Sequence, residues 1–74
     1  MKISFIRKYL DTLPADFEIE SMNISGEKIM ITGHKCGNYP MEILEVCRHE
    51  GHAEVMRGKE IHKGLYMKKE KVRI

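Results

Sequence analysis

Long apolar runs, a disulfide set of cysteines and an excess of charge are all missing from this 74-residue chain. No stretch approaches the roughly 20 consecutive apolar residues that a membrane span needs. Arg7, Lys8 and Asp11 interrupt the N-terminal segment where a secretory leader would have its apolar centre, so a cytoplasmic location is expected. Only two cysteines occur, Cys36 and Cys47, where a secreted domain this small is usually stapled by four or more; both read as free thiols. Thirteen basic residues stand against eleven acidic ones, and the resulting +2 sets up no global field that would recruit nucleic acid by itself. No Ser/His/Asp arrangement, paired carboxylates or phosphate-loop glycines can be picked out. The chain therefore does not read as an enzyme, and no cofactor is implied.

What is present is the profile of a folded domain, with 42 % apolar and 32 % charged residues. At this length the chain is a single domain, residues 1–74, burying about 60 % of the surface its unfolded form exposes. Residues 17–35 carry the clearest pattern. Phe17 and Ile19, Met22 and Ile24, then Ile29 and Ile31 alternate with polar residues around the turn signal Ser25-Gly26-Glu27, which predicts a β-hairpin. The alternation changes phase between Ile19 and Met22, so a bulge near Ser21 is needed to keep both pairs on one side.

Before this hairpin, Ile3, Ile6, Leu10 and Leu13 recur at helical spacing with Phe5 and Tyr9 beside them, predicting an amphipathic helix over residues 3–13 that Pro14 ends. After it, Pro40 in a first turn, the stripe Ile43, Leu44 and Cys47, and Gly51 as a left-handed cap predict a second helix. The last third returns to alternation, with Ala53 and Val55, a turn at Gly58-Lys59, then Ile61, Leu65 and Met67. Residues 68–74 read either as a sheet extension or as a flexible tail. The expected fold is an α+β two-layer sandwich in the order αββαββ, with two helices on one face of a four-stranded mixed sheet. Its second and third strands would run parallel through a right-handed crossover.

The succession Leu10, Leu13-Pro14, Phe17, Ile19, Met22, Ile24, Gly26, Ile29, Ile31 and Gly33, followed by a helix and a hairpin, resembles the soluble domain of the inner-membrane assembly-platform proteins of type IV pili and type II secretion. It is also similar to the BON domain. Either resemblance implies a circularly permuted ferredoxin-like fold and a role in protein assembly. The chain departs from the platform proteins by having no transmembrane helix ahead of the domain.

Three surfaces emerge as candidates. A half-covered sheet with Met30, Thr32, Met56 and Tyr66 outward would make a non-catalytic interaction module, binding a protein partner or itself as a homodimer. The alternative is a small nucleic-acid-binding protein using Arg57, Lys59, Lys63, Lys68 and Lys69, with Tyr66 stacking on a base. A solvated strand face with edge lysines accounts for the same residues. The third is a thiol or zinc site around Cys36 and Cys47. A helix of about 11 residues between them, roughly 15 Å long, keeps those two thiols from sharing a metal. Cys47, His49 and His52 near the helix end remain as a partial ligand set. Cys36 just ahead of a helix would have a lowered pKa.

Overall fold

The computed structural model describes residues 1–35, 40–62 and 64–73. One helix, α1 (Ile3–Leu10), precedes five strands, β1 (Phe17–Ser25), β2 (Lys28–Lys35), β3 (Glu42–His49), β4 (His52–Ile61) and β5 (Gly64–Arg73). The strands lie in the sheet in their sequence order, and every neighbouring pair is antiparallel. The expected sandwich of two helices on a four-stranded mixed sheet is thus replaced by one helix on a five-stranded antiparallel meander, and the permuted ferredoxin-like arrangement falls with it.

The difference originates in residues 42–49, which form a strand and not the second helix. Ile43, Leu44 and Cys47 satisfy a helical stripe, but Leu44 and Val46 also alternate, and it is this pair that is buried against the helix-bearing side. Ile43 and Val46 are β-branched and stiff at χ1, which favours the pleated surface over the helix. Gly51 does adopt the left-handed conformation expected of it, at φ 79°, but as the second residue of the tight loop Glu50-Gly51 joining β3 to β4. With no helix between them, β2 and β3 pair antiparallel.

The first hairpin forms as its sequence indicates. Ser25 pairs with Lys28 across Gly26-Glu27, and Gly26 takes φ 57°, a conformation only glycine adopts without strain. The register shifts between Ile19 and Ser21, so Phe17, Ile19, Met22 and Ile24 all pair with odd-numbered residues of β2 and share one face. The last hairpin turns later than expected. Gly58 and Lys59 are both within β4, and the chain reverses between Ile61 and Gly64. Residues 68–73 extend the sheet as part of β5.

Tyr9 of α1 packs onto Ile29 and Ile31 of β2, Leu44 and Val46 of β3, and Ala53 and Val55 of β4, with Phe5, Ile6, Leu10, Leu13, Phe17 and Val72 around them. Ile3, expected in the helical stripe, is instead exposed. Eight residues are too few for a helix to persist alone in water, so this packing holds α1 in place. Its C-terminal end is also tied to the sheet: the Thr12 hydroxyl donates to the Tyr9 carbonyl at 2.6 Å and accepts from Arg57 Nη2 at 3.0 Å.

The Tyr9 hydroxyl is buried and finds no hydrogen-bond partner among the described residues. A buried hydroxyl without a partner loses its hydration for nothing. Tyr9→Phe is therefore expected to raise the unfolding free energy by about 1 kcal/mol in urea titration. A loss of stability of the same size would mean that the hydroxyl has a partner after all.

Candidate functional site

Because α1 covers only one side, register alone sorts the remaining side chains. The outer side carries Met30, Thr32 and His34 from β2, Ile43, Glu45 and Cys47 from β3, Glu54 and Met56 from β4, and Met67, Lys69 and Lys71 from β5. Three of the four residues expected to make a sticky surface, Met30, Thr32 and Met56, do lie here. Tyr66 pairs with Lys59 and falls on the helix-bearing side. The outer side is less apolar than expected, since ion pairs cross it: Lys28 Nζ to Glu45 Oε1 at 2.9 Å, and Lys69 Nζ to Glu54 Oε2 at 3.4 Å. The hydrogen bond to Glu45 holds the Lys28 ammonium above its ordinary pKa. At the other end His34 donates from Nδ1 to the Lys35 carbonyl, 2.8 Å away, and its Nε2 meets Glu20 Oε1 at 3.0 Å. That backbone hydrogen bond, with Glu20 and Glu18 adding to it, raises the His34 pKa.

An uncovered apolar strip also runs along edge strand β1. Ile19, Met22 and Ile24 face the helix-bearing side beside Ile31 and Ile29, yet α1 does not reach them, and each is 43–47 % exposed. Sequence reasoning placed these residues on the buried face. Strand phase is visible in a sequence, but the breadth of the covering helix is not.

The two edge strands differ in charge. β1 carries Glu18 and Glu20 and no basic residue, whereas β5 carries Lys68, Lys69, Lys71 and Arg73 against the single acid Glu70. Of the residues considered for nucleic acid, Arg57, Lys59 and Lys68 lie on the helix-bearing side together with Tyr66. Lys69 projects on the opposite side, and Lys63 lies outside the described residues.

At the tip of the β3–β4 hairpin, Cys47 pairs with Glu54 and His49 with His52, which puts all four on the outer side. The imidazoles stack with centroids 4.9 Å apart and planes 19° apart, and His49 Nε2 lies 3.7 Å from Glu54 Oε1. Lys69 holds the Glu54 carboxyl below its ordinary pKa, with smaller contributions from His49 and His52. Cys47 is half-buried here and is not part of a helical stripe. Cys36 lies outside the described residues, and with residues 42–49 extended, the helix expected to lower its pKa does not form over them.

Among the described residues no helix is long and apolar enough to cross a membrane. Comparison with protein-family models, with curated proteins and with solved structures finds no match.

Proposed function

We propose that this chain is a non-catalytic assembly module whose copies join edge to edge, β5 of one copy adding to β1 of the next. The observation that carries this reading is the pair of open sheet edges with opposite charge, the acidic one bordered by the uncovered row Ile19, Met22 and Ile24. An open edge presents unpaired backbone N–H and C=O groups that bind an added strand, and the alternate side chains decide which strand fits. The strand that fits β1 is basic and carries apolar side chains for one face. β5 has that composition, with Tyr66 and Val72 on the helix-bearing side. Pairing β1 with β1 would oppose like charges, and so would β5 with β5, so charge selects the head-to-tail arrangement, which closes into a ring or continues as a filament.

Light scattering tests this with a charge exchange. The unaltered chain is expected to gain mass with concentration. Glu18→Lys with Glu20→Lys, and separately Lys68→Glu with Lys71→Glu, are each expected to weaken association about tenfold or more, since like-charge apposition costs several kcal/mol. Mixing the two variants is expected to restore it, because each then offers an edge that the other complements. Failure of the mixture to reassociate counts against edge pairing.

A second reading, binding of single-stranded nucleic acid, is favoured by the grouping of Arg57, Lys59 and Lys68 with Tyr66 on one side. It expects the Lys68→Glu, Lys71→Glu variant to lose salt-sensitive binding to an oligonucleotide, with no rescue on mixing.

A further inference from the structure

From the hairpin tip we infer that His49, His52 and Glu54 form a binding site for a borderline divalent cation of the zinc type. One ligand atom from each of the three lies within 4.8 Å of the other two. Ligands about 2.0–2.2 Å from a tetrahedral zinc ion stand roughly 3.3–3.5 Å apart, so capture requires a closure of little more than 1 Å. His49 Nε2 and Glu54 Oε1 are already at 3.7 Å. The remaining movement is a turn of two imidazoles that are part-exposed on the outer side of the hairpin and need not disturb the core.

The backbone brings these groups together. The two-residue loop Glu50-Gly51 makes His49 and His52 direct cross-strand partners, and the pleat returns Glu54, two residues on, to the same side. Glu54 Oε1 points toward the histidines while Oε2 meets Lys69, so the carboxylate can take a cation on one oxygen and keep its lysine on the other. Two imidazoles and one carboxylate suit zinc, copper(II) or nickel(II); magnesium and calcium prefer sites built wholly of oxygen. Three protein ligands leave a position for water. Cys47, across from Glu54 on the same side, is the nearest further donor in the register. The site does not depend on the edge pairing proposed above, since it uses neither edge strand for a ligand.

Isothermal titration of the purified full chain with zinc chloride is the direct test, followed by the same titration with magnesium chloride. Zinc is expected to bind one to one and magnesium not to bind. Affinity should fall on acidification, because protons then compete with the metal for both imidazoles. His49→Ala and His52→Ala are each expected to weaken zinc by more than tenfold, and Glu54→Gln to weaken it less. Their melting curves without metal should lie close to that of the unaltered chain, since none of the three side chains is buried in the core. Cobalt(II) absorption should show a nitrogen and oxygen donor set that survives Cys47→Ser. Absence of zinc binding overturns the proposal, and so does binding that persists in both histidine variants.

Discussion

Ile31→Ala is expected to lower the unfolding free energy by about 2–5 kcal/mol, the usual cost of emptying a fully buried aliphatic site. Ile31 is 1 % exposed and lies at mid-sheet, with Met22 and Leu44 as its cross-strand neighbours and Tyr9 in the same cluster. The layer above it is a single short helix. A domain of this size has a total stability of only about 4–11 kcal/mol, so the variant forfeits a large part of it. Thermal unfolding followed by circular dichroism should show the midpoint falling by about 8 °C or more, at about 4–8 °C per kcal/mol. A change of a few degrees would place Ile31 outside the core and would undo the face assignments of β1 and β3 with it.

The smallest possible addition on the same strand is expected to be nearly as damaging. Gly33 sits between Ile19 of β1 and Glu42 of β3, where a Cβ would run into the backbone carbonyl of Glu18 and the ring of Phe17. The Phe17 ring can swing aside, but the Glu18 carbonyl is held by the register just before the bulge. Gly33→Ala is therefore expected to cost about 1–3 kcal/mol through overpacking, although alanine has the better strand propensity. Urea unfolding measures the loss. Gly26→Ala in the hairpin loop makes the contrasting control. Its Cβ would meet nothing within 4 Å, so any loss there reflects the left-handed backbone and not crowding. Equal stability of Gly33→Ala and the unaltered chain would contradict the close approach of β1 over Gly33.

The first hairpin was legible because two independent signals agreed. Residues 17–35 alternate with period two, and the lost phase at Ile19 and Met22 marks the place where an extra residue must be absorbed. Residues 42–49 were ambiguous because their apolar side chains occur in adjacent positions. Ile43-Leu44 and Val46-Cys47 give a helix its stripe, and equally give a strand two occupied faces. Pro40 and Gly51, the punctuation that seemed to decide the matter, suit a helix start and cap as well as a strand entry and hairpin loop. Gly58 misled for a different reason. It reads as a turn glycine, yet it serves to admit the Met67 side chain in mid-strand, a cross-strand requirement invisible before the pairing is known.

The candidate sites inherit these differences. Cys47, His49 and His52 could be singled out from residue type alone, as a partial ligand set at the end of a helix. Glu54 joins them only once His49 and His52 face each other across a hairpin. The charge contrast between the edges needed the topology as well, since nothing in the order of residues says that the first and last strands are the two edge strands of the sheet.

The simple order of the sheet bears on how quickly the chain acquires its shape. Each ladder links neighbours along the polypeptide, so no strand waits for a distant segment to arrive, and the entropy lost in closing each loop is small. Such local connectivity places a chain among the faster folders of its class. Only the docking of the N-terminal turns against the middle strands brings remote residues together, and that docking is where the barrier is expected to concentrate.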